Sequence, residues 1–563
     1  MDIKKEISKS IKKEVKLGLD EVEKLIEKSR LEGGGDYAFP CFLLAVVEKK
    51  SPLLIAEELK EKVSLPFGIS NTEAKAGYLN FFIDKKILID DVLKNSGKNV
   101  VGKEKKRIMI EFPSPNTNKP LHIGHLRNMA IGESISRILE FFGNKVVRTS
   151  LNNDRGVHIC KSMVAYGELG KSNSPEKQKK KSDHFVGDYY VLFGQKSMED
   201  EKKWNDKAQE CLVRWEQGDK KVISLWKKMN SWALNGFKET YKLYGIKHDR
   251  EYFESEFYKE GKGIVEKGLM KKIFKKNKDG VVVINIGKQG NEDLGEKIVL
   301  RADGTSVYIT QDLYLAWLKD KEYKLDGSIY VVGNEQEYHF KVLFYILKKF
   351  GFKFSDNLHH LSYGMVMLPE GKMKSREGKI VDADDLILSV QELARKELKS
   401  RYKLSKKELE DRSLKITLAA IKYNLLKVDI RKNTIFNPNE AVSFEGDTGP
   451  YLLYSYARAS SILRKAGNKN KKVSVVDLKK YEERLLKKLS DFEDVLVQAR
   501  EKLSPTLIAN YAYSLSQVFN DFYHNCPVIG SLEEGLRLKL VKSFKDVLKQ
   551  ALNLIGIKEI EEM

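Results

Sequence analysis

The chain has 563 residues, enough for roughly three or four domains with cores of their own. It carries 101 Lys plus Arg against 80 Asp plus Glu, and the formal net charge of +21 indicates a polyanionic partner, nucleic acid first of all. The alternative is a lysine-rich bias of the whole proteome, which would leave solvated surface runs such as 179–181.

The cysteines and the apolar segments restrict the class of protein further. Four cysteines lie far apart without paired spacing, so we expect no disulfide framework, no zinc knuckle and no protein-bound metal. The longest apolar run near the N-terminus, 41–47, is too short to cross a bilayer, and the first residues lack the apolar core of a signal peptide. We therefore expect a cytoplasmic protein without membrane contact, and we expect it to act as a monomer.

Residues 1–100 predict a small α/β domain. Its predicted elements are an amphipathic helix over 1–31 that ends at glycines 33–35, a strand over 37–43, a helix over 53–62 and a strand over 77–83. In the last strand Tyr78 and Asn80 alternate with apolar residues, so their side chains leave the opposite face. A Tyr beside an Asn suits stacking on RNA bases and reading of base edges, whereas the alternative is a plain solvated sheet face.

A predicted strand, a tight turn and a predicted helix follow, which is how an α/β nucleotide site begins, with phosphates at the helix N-terminus. The strand covers 106–112, and apolar residues recur at helical spacing after His125 until Gly143. Between His122 and His125 lies Gly124, which lacks a Cβ and lets adenine or phosphate approach the backbone. Both histidines can donate hydrogen bonds to phosphate oxygens as charge develops at the α-phosphorus.

The rest of this α/β domain is predicted around an insertion over 165–295. The other predicted elements are a strand over 145–151, a hairpin of 297–301 and 306–310 before a helix at residue 312, and strands over 328–332 and 363–368. A basic loop over 371–378 follows and supplies Lys372, Lys374 and Arg376 for the leaving phosphates, although such a loop taken alone is usually a solvated turn.

From about residue 405 onward the pattern predicts helices only. One helix starts at Pro450, a favoured first-turn residue, and the others are predicted over 477–501, 505–526 and 532–555.

Residues 111–128 read EFPSPNTNKPLHIGHLRN, which closely resembles the signature of arginyl-tRNA synthetases, a family of class I aminoacyl-tRNA synthetases. Further matches in the same order extend the resemblance over nearly the whole chain. They are 308–312 with the family's amino-acid pocket motif, 331–336 with its next sheet strand, 373–378 with its second signature loop, and 449–458 and 554–563 with its anticodon-binding bundle.

The resemblance implies a multidomain α/β protein. Its implied domains are an N-terminal α/β domain over 1–100 that contacts tRNA, a Rossmann-like parallel-sheet catalytic domain over 101–400, and an all-α anticodon-binding bundle over 405–563. It also implies an arginine–tRNA ligase that makes arginyl-adenylate and pyrophosphate from L-arginine and Mg·ATP, so that ATP and Mg²⁺ are needed. The arginine then passes to the 3′-terminal adenosine of tRNA(Arg), and the family typically requires bound tRNA even for the first step.

The resemblance further implies how arginine is bound. Asp312 matches the family residue that faces the planar guanidinium, with Tyr308 beside it, and Glu254 is a second candidate. Family positions for the amino and carboxylate ends of arginine fall on Glu111, Ser114, Asn116 and Gln336.

The implied ATP site contains His122, Gly124 and His125, with Lys372, Lys374 and Arg376 from the second loop. That loop reads KMKSR where the general class I pattern is KMSKS, so the lysine of the fourth position is absent. Lys119 lies just before the first signature, where a lysine is thought to compensate in arginyl enzymes. We therefore expect His122, His125, Lys119 and Lys372 to be catalytic. Implied tRNA contacts are Tyr78, Asn80, Tyr451, Tyr454 and Arg458.

Two other classes of protein stay open. A smaller adenylate-forming ligase or nucleotidylyltransferase can use the same two histidines, but it does not need the helical C-terminal part or the basic excess. A non-catalytic RNA-binding paralogue can keep the fold, yet it should have lost Asp312, His122 or His125, and all three are present.

Overall fold

The computed structural model describes residues 3–29, 35–95, 104–289, 292–369, 381–467 and 478–563. The chain forms two compact units. The first is made of residues 1–98, 466–492 and 518–547, and the second of residues 99–465, 493–517 and 548–563.

The first unit is built on a small antiparallel sheet. Its N-terminal elements are α1 (Ile3–Lys12), α2 (Leu19–Leu25), β1 (Glu27–Lys28), β2 (Tyr37–Pro40), α3 (Phe42–Glu48), α4 (Pro52–Lys62), β3 (Ile69–Lys75), β4 (Tyr78–Ile83) and α5 (Lys85–Asn95). The strand order is β1–β2–β4–β3. Helices α1, α2 and α4 pack against strand β4 in one apolar core. It includes Ile7, Ile11, Val22, Ile55 and Leu59 from the helices, and Leu79 and Phe81 from the strand.

Two predictions for this unit are wrong at their ends. The predicted N-terminal helix is two helices, because Gly18 has an extended backbone and caps α2, its N–H donating to Glu21 Oε2 at 2.7 Å. The strand predicted over 37–43 stops at Pro40, which has no N–H for a sheet ladder, and Phe42 begins α3. The polar strand β3 was not predicted, since it lacks regular alternation of apolar residues.

The second unit contains the larger sheet. Its elements up to the end of that sheet are β5 (Arg107–Glu111), α6 (Ile123–Phe141), β6 (Lys145–Asn152), α7 (Val157–Leu169), α8 (Ser182–Glu199), α9 (Glu201–Glu216), α10 (Lys220–Tyr244), β7 (Arg250–Phe253), α11 (Glu254–Phe257), α12 (Gly261–Met270), β8 (Lys275–Lys276), β9 (Val282–Asn285), β10 (Lys288–Gln289), β11 (Glu292–Asp293), β12 (Glu296–Leu300), α13 (Tyr308–Tyr323), β13 (Gly327–Gly333), α14 (Glu337–Phe350), β14 (Leu358–Tyr363) and β15 (Val366–Met367). Five strands pair in parallel in the order β14–β13–β5–β6–β7.

The central strands of this sheet are buried on both faces, as a parallel sheet covered by helices requires. Six of the seven residues of β13 are buried, and the strand packs against α13 and α14. The core there includes Leu313, Ala316, Leu343, Ile346 and Leu347. The predicted fold class, with its Rossmann-like parallel sheet, is confirmed.

The predictions for the region between the sheet strands need two corrections. The insertion expected over 165–295 is interrupted by β7, which pairs residues 250–253 with the end of β6 as the edge strand of the parallel sheet. The second strand of the hairpin expected over 297–310 is absent, since α13 already begins at Tyr308 and only a single bridge joins Leu300 and Ser306.

The remaining elements are almost entirely helical, as predicted. They are α15 (Ala383–Arg401), α16 (Lys406–Lys427), β16 (Thr434–Ile435), α17 (Pro438–Ala441), α18 (Gly449–Ala466), α19 (Lys480–Ser490), α20 (Phe492–Glu501), α21 (Pro505–Asn525) and α22 (Glu534–Leu554). The helix predicted over 477–501 is two helices, divided at Asp491.

Candidate active site

Several of the predicted pocket residues lie close to the carboxyl ends of the parallel strands. Strand β5 ends at Glu111, β6 at Asn152, β7 at Phe253 and β13 at Gly333, and parallel strands present their carboxyl ends at the same edge. Ligands of open α/β sheets bind at this edge. The edge therefore brings together segments that are far apart in the sequence.

Two backbone hydrogen bonds orient the paired histidines at the start of α6. The N–H of Gly124 donates to His122 Nδ1 at 3.1 Å, and the N–H of His122 donates to His125 Nδ1 at 3.0 Å. The two ring centroids lie 3.9 Å apart. Since Nδ1 accepts in both rings, a neutral imidazole here carries its proton on Nε2, and both histidines offer an N–H donor.

Both histidines are held in the neutral form. Burial lowers the pKa of His122 to about 4, and the charge of Lys119 lowers it further. The pKa of His125 is well below its usual range, first through burial and then through the charges of His122 and Lys119. Lys119 also lowers the pKa of His158, after burial and Lys161. The positive charge of the Lys119 ammonium is therefore close enough to the histidine pair to lower the pKa of both rings.

At the end of β5, Glu111 is engaged within the protein. Its carboxylate forms an ion pair with the ammonium of Lys319 from α13, and both side chains are buried. Ser114 Oγ donates to Glu111 Oε1 at 3.3 Å and accepts from the N–H of Leu151 at 3.1 Å. The charge of Asp312 also reaches Lys319. Buried Lys319 is therefore paired with Glu111, which Ser114 also contacts, and it is influenced by the charge of Asp312.

Asp312 and Glu254 are two carboxylates near this edge that are partly open to solvent. Asp312 is 30% exposed, and its Oδ2 lies 2.6 Å from His339 Nε2, which donates. Glu254 is 15% exposed and lies 3.8 Å from an Arg155 guanidinium nitrogen. Burial raises the pKa of Glu254 to about 7, Arg155 opposes this, and the charges of Asp154 and Asp312 add to it. The negative charge of Asp312 therefore acts on Glu254.

The structure places the other predicted pocket residues at the rim. Asn116 is exposed and forms an isolated parallel bridge with Asn153. Tyr308 is 80% exposed at the first position of α13. Gln336 is exposed in a short 3-10 turn after β13. Lys372, Lys374 and Arg376 lie outside the described residues, as does their whole loop.

In the first unit, Tyr78 and Asn80 do not share a solvated face. Asn80 is only 2% exposed, and its Nδ2 donates to the Glu73 carbonyl at 3.2 Å. The predicted exposure of Asn80 is therefore wrong, because its side-chain amide forms a hydrogen bond with a backbone carbonyl of the neighbouring strand β3. Tyr78 is half-buried and packs edge-to-face on Phe42, itself 45% exposed, with ring centroids 5.1 Å apart.

In the second unit, the predicted tRNA contacts on α18 are all partly exposed. The Arg458 guanidinium lies over the ring of Tyr454 at 4.7 Å and donates to its hydroxyl at 3.3 Å. Tyr451 packs on Tyr513 with ring centroids 5.7 Å apart.

Sequence reasoning missed Lys319, His339 and Arg127. Lys319 follows Asp312 by seven residues on α13, and this two-turn spacing on one helix face was the available signal. His339 comes three residues after Gln336, within the segment already singled out. Arg127, in the first signature, offered no signal of its structural role.

Arg127 is fully buried, and it forms no ion pair with a carboxylate of the described residues. Its guanidinium donates to backbone carbonyls of Gly364 at 2.6 Å, Lys432 at 2.9 Å, Asp429 at 3.3 Å and Met365 at 3.4 Å. Burial lowers its pKa to about 10. Helix α6 is thereby tied to the two chain segments around 364 and 430.

Comparisons with known proteins cover the whole chain. Residues 88–438 match tRNA synthetases class I (R), catalytic domain; residues 452–563 match the DALR anticodon binding domain; and residues 1–83 match the arginyl tRNA synthetase N terminal domain. The arginine–tRNA ligase of Treponema denticola is 47% identical over 557 residues, covering 94% of this chain and 93% of its own. That of Borrelia hermsii is 41% identical, covering 100% and 99%.

The chain belongs to the arginyl-tRNA synthetase family. Among solved structures of this family, the Thermus thermophilus arginyl-tRNA synthetase superposes with a TM-score of 0.85 at 27% identity, covering 100% of this chain and 99% of its own. The two alternatives, a smaller ligase or a non-catalytic paralogue, are not favoured. Within the described residues, the family fold here includes no helix long and apolar enough to span a membrane.

Proposed function

We propose that this chain activates L-arginine with Mg·ATP to arginyl-adenylate and pyrophosphate, and then transfers arginine to the 3′-terminal adenosine of tRNA(Arg). The observation that carries the proposal is the pair of carboxylates, Asp312 and Glu254, at the same sheet edge as the histidine pair. A guanidinium is a planar, doubly hydrogen-bonding cation, and a pair of carboxylates complements it.

In the first step, the arginine carboxylate attacks the α-phosphorus of ATP and pyrophosphate leaves. Neutral His122 and His125 donate through Nε2 to phosphate oxygens, and Lys119 adds the positive charge that a neutral pair lacks. This division suits phosphoryl chemistry, which depends on positioning and electrostatic stabilisation. Gly124 leaves the backbone accessible, and the proposal assigns Lys372, Lys374 and Arg376 to the leaving phosphates.

Magnesium enters as part of the substrate Mg·ATP. Mg²⁺ usually keeps phosphate and water ligands and takes few from the protein. The one cluster of three metal-ligand side chains within the described residues already contains a lysine ammonium, Lys181. No protein-held magnesium site is part of the proposal.

Arginine is proposed to bind with its guanidinium between Asp312 and Glu254, beside Tyr308. Ser114, Asn116, Gln336 and Glu111 are assigned to its amino and carboxylate ends. Because one carboxylate oxygen of Glu111 is paired with Lys319, the side chain is held in place at the bottom of the proposed pocket. Its other oxygen is proposed to accept a hydrogen bond from the amino group of arginine.

The tRNA is proposed to contact both ends of the chain. Tyr78 beside exposed Phe42 offers aromatic surface for a base, whereas buried Asn80 contributes by holding the strand. Tyr451, Tyr454 and Arg458 are assigned to the anticodon. The proposal keeps the domain limits 1–100, 101–400 and 405–563, a cytoplasmic location and a monomeric state.

Arginine-dependent ATP–pyrophosphate exchange, measured with total tRNA present, tests the pocket. We predict exchange with arginine but not with citrulline, whose side chain has the same shape without the charge, because the pocket carboxylates would then have no cationic partner in the ligand. Asp312→Asn should lower kcat/KM for arginine about hundredfold, or about 2.7 kcal/mol. Asp206→Asn, at an exposed position of α9, is the control, and equal losses in both variants contradict the assignment.

A further inference from the structure

A cluster of charged side chains outside the residues assigned above joins three helices of the second unit. Lys181 Nζ lies 2.7 Å from Asp384 Oδ2, 3.1 Å from Asp183 Oδ2 and 2.6 Å from Thr240 Oγ1. His184 Nε2 lies 3.0 Å from the same Asp384 oxygen. The start of α8 and the C-terminal part of α10 are thereby tied to the first turn of α15.

The cluster is buried and closely packed. Asp183 is fully buried, and the side chains of Lys181, His184 and Asp384 are each less than one-fifth exposed. A Cβ at position 236 of α10 would lie 2.2 Å from Asp183 Oδ1, so Gly236 is what lets that helix approach. The run 179–181 was expected to be solvated, and for Lys181 this expectation is wrong because its ammonium pairs with two carboxylates.

A metal ion is the first alternative for such a cluster. Ligand atoms of Asp183, His184 and Asp384 lie within 4.8 Å of one another. The Lys181 ammonium, however, already bonds both carboxylates and occupies the space between them. A divalent cation would have to displace it, so the cluster is an ion-pair network.

The network extends to Asp382, whose backbone pairs with that of His122 in the first signature. Asp382 caps α15, its Oδ1 accepting from the N–H groups of Asp384 at 2.8 Å and Asp385 at 3.2 Å. His184 Nε2 lies 3.4 Å from the same oxygen. The cap and the first turn of α15 are therefore both held by α8.

The residues around this cap form an antiparallel bridge with the segment of His122. The N–H of Ile123 donates to the Val381 carbonyl at 3.0 Å, and the N–H of Ala383 donates to the Leu121 carbonyl at 2.9 Å. His122 lies between these two hydrogen bonds. A shift of the first turn of α15 is thus passed directly to the backbone of His122.

We propose that Lys181, His184 and Asp384 are positioning residues for arginyl-adenylate formation: they fix residues 381–383 and, through the two backbone hydrogen bonds, the place of His122. The inference rests on the proposed function. Because a displacement of about 1 Å at a reacting group can cost about a hundredfold in rate, such a support is a kinetic as well as a structural element.

The first test is Asp384→Asn, which keeps the side-chain size and the Asp382 cap but removes the charge that Lys181 and His184 share. We expect kcat of the exchange reaction to fall at least tenfold, with the KM for arginine within twofold of the unmodified value. The arginine pocket should keep its affinity because its carboxylates, Asp312 and Glu254, do not contact the cluster. A network with a structural role alone would lower the melting temperature and leave kcat unchanged below it.

Hydrogen exchange of backbone amides reads the proposed displacement directly. In Asp384→Asn, the peptide that contains the amide of Ile123 should lose protection together with the peptide that contains Ala383. Lys180→Met is the matched control, since Lys180 is the neighbouring residue and pairs only at the surface with Asp188. This variant should change neither protection nor kcat.

His184 supplies variants that spare the buried ion pair if Asp384→Asn does not fold. His184→Ala should lower kcat about tenfold, and His184→Gln, whose amide N–H reaches the position of Nε2, should restore it to within threefold. The proposal is overturned if folded Asp384→Asn or His184→Ala keeps kcat within threefold, or if the KM for arginine rises as much as kcat falls. Absence of exchange in the unmodified protein would instead overturn the proposed function.

Discussion

At the scale of single residues, protonation is set by what surrounds each side chain. Burial keeps His122 neutral at physiological pH, whereas Glu254 lies near the middle of its titration with a pKa of about 7. The histidine pair can therefore offer uncharged donors over the whole neutral range, and the proposed arginine pocket changes its charge within that range.

For Glu254 we predict that arginine binds about tenfold more tightly at pH 8 than at pH 6. A carboxyl group with a pKa of about 7 is mostly protonated at pH 6 and mostly ionised at pH 8. Only the ionised form pairs with a guanidinium. Calorimetry at both pH values gives the affinity, and two buffers of different ionisation enthalpy reveal the proton released near pH 7. Glu254→Gln should flatten the profile. A flat profile in the unmodified protein would contradict the role of Glu254.

For Lys119 we predict that Lys119→Ala lowers the ATP–pyrophosphate exchange rate at least tenfold, since its charge reaches both neutral histidines. Lys105→Ala removes an exposed lysine before β5 and should leave the rate unchanged. A loss of less than threefold, which is under about 0.7 kcal/mol of barrier, would remove Lys119 from the mechanism.

The sequence indicates His122, Gly124 and His125 because strand, turn and helix signals surround them locally. It does not indicate the partner of Glu111, since Lys319 is 208 residues further along the chain. The pair of Lys181 and Asp384 spans 203 residues in the same way. Long-range pairs of this kind depend on how helices pack on the sheet, and local sequence patterns do not predict that packing.

At the scale of elements, the first two turns of α6 hold both the histidine pair and a structural anchor of the second unit. Its N-terminus holds the histidine pair, and Arg127 in its second turn binds four backbone carbonyls. A side chain with several donors in a fixed fork can satisfy that many acceptors at once.

We predict that Arg127→Met lowers the stability of the unit by about 3 kcal/mol, because carbonyls that are buried against the guanidinium lose their donor. The shift of the urea midpoint measures the loss. Arg401→Met is the control: Arg401 is 45% exposed and pairs with Glu397 one turn away on α15. An exposed pair of this type contributes at most about 0.5 kcal/mol. Equal midpoint shifts would contradict the anchoring role of Arg127.

Long apolar strands and capped helices were predictable as elements, and short edge strands were not. Strand β13 has apolar side chains on both faces, so its position in the centre of the sheet follows from the sequence. Strand β7 has only four residues, and its membership in the sheet depends on pairing with β6. Because β7 was not predicted, the segments before and after it were interpreted as one insertion over 165–295.

At the scale of the whole molecule, chain order and spatial units differ. Residues 466–492 and 518–547 cluster with 1–98, and the ion pair of Lys28 with Asp491 at 2.8 Å joins residues 463 positions apart. The net charge of +21 agrees with a polyanionic substrate such as tRNA. Charge alone gives no amino-acid specificity, which the pocket carboxylates must supply.

Charging of total tRNA with each of the twenty amino acids tests the central claim most directly. The pocket of Asp312 and Glu254 and the membership in the arginyl-tRNA synthetase family predict that arginine alone is attached, and that lysine, which has the charge without the planar fork, is rejected. Failure to charge tRNA with arginine, or equal charging with lysine, would contradict the account.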